Sequence, residues 1–169
     1  LDTPGRFPLR LGHILGQHKG REVRFRRRRG LGDGVMLPAD VCMEVGLNPC
    51  MQGYKMRPQD GLELWLKVIG EAEIGDPIMD PLFVLQGVDE SRWRQLLSDE
   101  QVNDQLLDLS SDGVSIRIDS GKLELRWPGL GTGAMKAMLK RAIDLADAME
   151  GSEGRVWQAA ADALGLHFE

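Results

Sequence analysis

Four consecutive arginines, Arg26, Arg27, Arg28 and Arg29, make the strongest chemical statement in the chain. Guanidinium groups present forked donors that fit carboxylate and phosphate, and a run of them creates a field that draws anions. Arg21 and Arg24 stand just ahead, so Arg21, Arg24, Arg26, Arg27, Arg28 and Arg29 are the candidate partner-binding residues. Residues 1–30 hold nine Lys/Arg against two acids, Asp2 and Glu22, a net +7, while the rest holds 12 against 24, a net −12, which gives the chain its −5. A positive segment on an acidic body suits an acidic protein partner or an anionic membrane surface. Nucleic acid is the weaker alternative. Domains dedicated to it are usually basic overall, and the run Arg26–Arg29 contains no aromatic residue on which a base could stack. A solvated strand end competes with all of these, because strand alternation sends successive arginines to opposite faces.

A second candidate is GLGTGAMK, between a strand pattern and a helix pattern. Free N–H groups at a helix start receive anions, which makes Gly129, Gly131, Gly133 and Lys136 possible anion-binding residues. The spacing departs from a Walker loop, which puts Gly-Lys-Ser/Thr after four intervening residues. Here Ala134 follows Gly133 and Ala137 follows Lys136. The dinucleotide fingerprint fails as well, since Met135 stands near the place of its third glycine. Asp76 and Asp80, beside Glu71 and Glu73, are paired acids that suit a cation or acid–base work. Pro77 and Pro81 instead indicate turns, in which Asp bonds to nearby backbone N–H groups.

No nucleophile setting accompanies His13, His18 or His167, and no GxSxG, HExxH or CxxC occurs. Cys42 and Cys50 fall short of the roughly four ligands of a structural zinc. They read as reduced thiols, with one disulfide as the alternative. No cofactor or metal is implied, and the expectation leans away from an enzyme. The catalytic alternative rests on an anion at Gly129–Lys136 or a metal at Asp76 and Asp80.

The elements that must hold these residues follow from periodicity. Residues 1–20, rich in Gly, Pro and basic side chains, read as an N-terminal arm. REVRFRRR alternates and predicts a strand over 21–28, with Val23 and Phe25 on its apolar side. Pro38 predicts a short strand or irregular stretch through VMLPADVCMEVGL, and residues 47–60 read as loop. Strands are expected at 62–68 and, covered on both faces, at 82–85. Asp89 caps one helix, and Ser98 or Asp99 caps the next. GVSIRID and KLELRW alternate across Asp119-Ser120-Gly121 and predict a β-hairpin. A helix striped with Met135, Met138, Leu139, Ala142, Ile143, Leu145, Ala146 and Met149 follows, stopped by GSEG at 151–154, with a short last helix ending near Gly165.

A chain of 169 residues with 42% hydrophobic and 28% charged content suits one globular domain. No run approaches the roughly 18–20 apolar residues of a membrane span, and no leader pattern is seen. The order of elements predicts an α+β fold, an antiparallel or mixed sheet with helices packed on one face, as a single domain over 21–169 behind the arm 1–20.

The segment EIGDPIMDPLFVLQG, residues 73–87, ahead of a helix with Leu96-Leu97 and a later hairpin, resembles a stretch of uncharacterised bacterial proteins of the form tGDp-x-FD-x-x-F-x-V-x-G. Gly75, Asp76, Pro77, Asp80, Phe83 and Gly87 match, and Met79 stands where an aromatic is usual. The likeness spans about residues 62–149 and leaves 1–60 uncovered. It implies attachment to membranes or to other modules, and it carries over no catalytic residue. The resulting expectation is a non-catalytic interaction module or accessory subunit of a larger bacterial assembly, at the cytoplasm or the cytoplasmic face of a membrane. It docks through its basic N-terminal segment, and self-association is a further possibility.

Overall fold

The computed structural model describes residues 13–32, 35–59, 71–128 and 132–163. Among these residues seven strands form one antiparallel sheet: β1 (His13–His18), β2 (Arg21–Gly32), β3 (Val35–Gly46), β4 (Lys55–Pro58), β5 (Phe83–Gln86), β6 (Ser115–Asp119) and β7 (Lys122–Pro128). Their spatial order is β1-β2-β3-β7-β6-β4-β5. The described α-helices, α1 (Glu90–Leu97), α2 (Glu100–Ser111) and α3 (Thr132–Ala163), pack with one another and onto the sheet. This is the expected α+β arrangement, with the pairing antiparallel throughout.

Register explains the layering. Val23, Val45, Leu123, Ile118, Met56 and Leu85 are successive cross-strand partners from β2 to β5, and all six are buried. Side chains alternate along a strand, so this row and the parallel row Phe25–Met43–Leu125–Ile116 define the core face. Trp93, Leu96, Val102, Leu106, Ile143 and Met149 of the helices close over it. Caps fix the helix starts as expected: Asp89 accepts from Arg92 N at 2.9 Å, and Asp99 from Gln101 N at 3.1 Å. Phe83, Val84 and Leu85 are all buried, in line with a strand covered on both faces.

Four expectations change. Residues 13–18, expected in an arm, are β1, paired with β2 along its whole length. The cause is Lys19-Gly20: both have positive φ, 50° and 77°, the requirement of a two-residue hairpin turn that Ser120-Gly121 repeats at 52° and 70°. β3 runs 12 residues despite Pro38. β7 pairs only with residues 40–46, and the β2–β3 register shifts between Arg28 and Gly30, so Pro38 sits beside a bulge where a missing N–H is tolerated. The stretch 47–60 is not all loop: Pro49–Met51 form a 3₁₀ turn and β4 follows. Finally, α3 continues through GSEG to Ala163 as one helix of 32 residues. Glycine inside a helix costs about 1 kcal/mol, and here buried Glu153, held from the sheet side, outweighs it. The expected strand at 62–68 lies outside the described residues.

A Cβ on exposed Gly154 meets nothing within 4 Å. Gly154→Ala should therefore stabilise the protein by about 0.5–1 kcal/mol, read as a higher urea midpoint with unchanged slope. A loss of stability would contradict a continuous α3.

Candidate functional site

Opposite the helices lies a polar face built by the same alternation. One row runs Leu15–Arg24–Glu44–Glu124–Arg117 across β1, β2, β3, β7 and β6, and beside it run Arg26, Cys42, Arg126 and Ser115. Two acids, Glu44 and Glu124, face each other at its centre. Such a pair is unfavourable by itself. Guanidiniums compensate: Arg26 bonds Glu44, Arg24 Nε stands 3.9 Å from Glu44, and Arg126 Nη2 is 2.6 Å from Glu124.

Cys42, 2% exposed, sits among them. Its sulfur and the Glu44 and Glu124 carboxylates lie within 4.8 Å of one another, a spacing that invites a metal. The chemistry disfavours one. Burial, then Glu124, pushes the Cys42 thiol up to about 11, so it is protonated, while a metal takes the thiolate. The carboxylates are already paired with arginines. The cluster is a charge ladder that holds β2, β3 and β7 in register.

A second polar centre ties α3 to the sheet. Asp147, Glu150 and Glu153 recur at i, i+3 and i+6 on one helix face. Arg21 reaches Glu150 at 2.6 and 2.7 Å and also bonds Asp147, and Glu150 raises its already high pKa further. Asn48 N donates to Glu150 at 2.7 Å. Glu153, 2% exposed, accepts the Tyr54 hydroxyl and Arg92 Nη2, the latter at 2.8 Å. Arg92 lies 5.0 Å over the Tyr54 ring, and Trp93 meets that ring edge-on at 4.8 Å. Burial holds the Glu153 carboxyl above its ordinary value. Cys50 lies close by, its thiol raised by burial and then by Glu150. Both cysteines are free.

The sequence candidates are thus distributed as follows. Arg21 serves the α3 anchor. Arg24 and Arg26 are half-buried against Glu44, Arg24 also standing 3.5 Å from Glu22. The side chains of Arg27, Arg28 and Arg29 lie outside the described residues, as do Gly129 and Gly131. Gly133 and Lys136 are exposed at the start of α3. Asp76 accepts from Ile78 N and Met79 N at 2.8 and 3.0 Å, and Asp80 from Ile74 N and Gly75 N at 3.2 and 2.9 Å. Those two acids do turn work. Gly87, in the same motif, has φ +91°, and a Cβ there would come within 2.1 Å of Gly53 O.

Sequence reasoning missed Tyr54, Arg92, Glu150 and Glu153. The i, i+3, i+6 acids of α3 and the lone tyrosine were its available signals. It also passed over a contrast of charge between layers. The described polar face carries Arg24, Arg26, Lys55, Arg57, Arg117, Lys122 and Arg126 against Glu22, Asp40, Glu44, Asp119 and Glu124, seven against five, a net +2. The helices with their capping residues, 89–112 and 132–163, hold six Lys/Arg against 12 acids, a net −6. Fold and surface together define an α+β domain with one helical, anionic layer and one polar, cationic sheet face. Comparison with protein-family models, with curated proteins and with solved structures found no match.

Two outcomes test the polar centres. Glu153→Leu leaves the buried Tyr54 hydroxyl and Arg92 without their acceptor and should cost about 1–3 kcal/mol. Glu153→Gln keeps an acceptor and removes the titration. A raised folded pKa gives stability that is full below about 4.5 and lost as pH rises through the folded value. The stability of Glu153→Gln relative to the parent should therefore improve from pH 4 to 7 in urea titrations. A flat difference would contradict the burial effect. Separately, Cys42 should resist iodoacetamide at pH 8 in the native protein and react on unfolding. Labelling at the rate of a free thiol would contradict its burial.

Proposed function

We propose that the chain is a non-catalytic docking module, or accessory subunit, that holds an acidic partner protein against the polar face of its sheet. The observation that supports this reading is the division of charge: +2 on the described polar face, −6 in the helical layer, on a chain of −5. Lys55, Arg117 and Lys122 on that face are exposed. A partner bearing clustered Asp and Glu would be steered toward the sheet and away from the helices. The docking surface differs from the expected one. Arg24 and Arg26 have an internal carboxylate partner in Glu44, so they form the base of the face rather than its grip, and Arg21 is turned to α3 on the other side of the sheet.

Deleting residues 1–30 is no test, because it removes β1 and most of β2. Charge reversal on the intact chain is. Polyglutamate should bind with an affinity that falls as NaCl rises. The double variant Arg117→Glu, Lys122→Glu should weaken it about tenfold or more, and Lys140→Glu on the helical layer should leave it unchanged. Equal binding by all three proteins would overturn the proposal. Polyuridylate bound more tightly than polyglutamate at the same salt would overturn it too, in favour of nucleic acid.

A further inference from the structure

We propose that the outer edge of β1 is a self-association surface, on which a second copy of the chain lays its own β1 antiparallel about a two-fold axis at Leu15. The contact joins two sheets edge to edge, so it is separate from docking on the polar face.

β1 is the first strand in the sheet order, and no described strand lies beyond it. The turn at Lys19-Gly20 fixes which of its backbone groups point outward. A two-residue turn makes its flanking residues, here His18 and Arg21, a hydrogen-bonded pair. Bonded and non-bonded pairs then alternate, so His18, Gly16 and Ile14 turn their N–H and C=O groups to β2. Gln17, Leu15 and His13 turn theirs away from it. The edge thus carries donors and acceptors at every second residue, centred on Leu15. Native edges are blunted by charge, proline or a bulge. HILGQH contains no Lys, Arg, Asp, Glu or Pro, and its register with β2 is unbroken. The far end of the sheet differs, because Leu85 O of β5 accepts Ala72 N of the same chain at 2.8 Å.

Self-complementarity selects a second copy as the occupant. With Leu15 on the axis, Leu15 pairs with its own counterpart and His13 with Gln17 of the second copy, about six backbone bonds in all. Moving the axis to Ile14 or Gly16 leaves fewer pairs within His13–His18. Side chains agree on both faces. Leu15, 54% exposed, meets its counterpart on the polar side. On the core side, half-buried Ile14 comes to stand beside Gly16 of the second copy, which has no side chain to obstruct it. Charge agrees too. The Arg24 residues of the two copies are three strand spacings apart, about 14 Å, which exceeds the roughly 8 Å screening length of physiological salt. Each keeps Glu22 and Glu44 beside it. The next row reads Glu22–Gln17 in one copy and His13–Arg26 in the other, with opposite signs at its two ends. Residues 1–12 suit the edge less, because Pro4 and Pro8 bring no N–H to a ladder. A short edge falls below the roughly 800 Å² per partner of a standard interface, so the dimer is weak, with a dissociation constant of about 0.1 mM.

The test is sedimentation of the full chain over a concentration series that brackets this value, with amide hydrogen exchange read at both ends of the series. The mass should rise from one chain toward two, and the amides of Leu15 and Gln17 should exchange more slowly in the concentrated sample. Leu15→Lys sets two ammonium groups together at the axis and should weaken the dimer about tenfold or more. Leu15→Pro removes an outward N–H while leaving the β1–β2 bonds whole, and it should do the same with a melting temperature that shows a folded protein. Should Leu15→Pro fail to fold, Leu15→Lys carries the test, since Leu15 is exposed. Ile78→Lys, at another exposed apolar residue, should leave the dimer unchanged. A dimer that persists in the Leu15 variants, or that Ile78→Lys weakens equally, would overturn the proposal. So would a single chain at every concentration. Slow amides at 15 and 17 in that single chain would assign the edge to a segment of the chain itself, and fast ones would leave it open to a strand of another protein.

Discussion

Cross-strand register is the constraint on which everything else in this molecule depends. Val23, Val45, Leu123, Ile118, Met56 and Leu85 stand side by side across six of the seven strands, and they stay on one face only while every pairing holds. A slip of one residue in any strand would turn its apolar side chains to water and its charges to the core. The charged row supports the same register from the other side. Glu44 and Glu124 tolerate each other only with Arg24, Arg26 and Arg126 in place, and those arginines arrive only in the correct alignment. Hydrophobic burial supplies most of the stability of such a layer. The ion pairs, half in water, contribute modestly to stability and more to the choice among alignments.

The helical layer is fastened by two unlike devices. Along α1, α2 and the first half of α3 the attachment is apolar, through Trp93, Val102, Leu106, Ile143 and Met149. At Glu150 and Glu153 it turns polar, against Arg21, Asn48, Tyr54 and Arg92. Removing one partner of a buried charge is costly because the other remains desolvated. The polar stretch therefore gives α3 a fixed rotation about its axis, which a stripe of Leu, Ala and Met leaves loosely defined. It also lets the helix run through Gly151 and Gly154.

What was legible in the sequence was local. The hairpin at Ser115–Pro128, the caps Asp89 and Asp99, and the covered strand at Phe83–Leu85 each depend on residues within a few positions of one another. The β1–β2 hairpin was equally local, yet basic and glycine-rich composition hid the alternation of its first strand. β4, four residues long, is too short for a period to show. The helix across GSEG was unreadable for another reason, since the groups that hold it come from residues 21–92. The candidate surface was hidden in the same way. Arg21 reads as a solvated cation until α3 is brought to it, and Arg57 and Arg117 belong to segments that no local pattern joins.

Arg21 and Glu150 are 129 residues apart, yet their bond closes the molecule. The opening hairpin therefore emerges from the ribosome long before the helix that shelters its apolar side has been made. β7, the inner neighbour of β3, is itself more than seventy positions downstream of it. Until then the early strands offer an uncovered Val, Phe and Met surface to whatever lies nearby. A topology of such distant closures folds slowly for its size, and the interval invites holdase chaperones during synthesis. Truncation ahead of α3 would prolong that interval indefinitely, so nonsense lesions there carry consequences for solubility as well as for function.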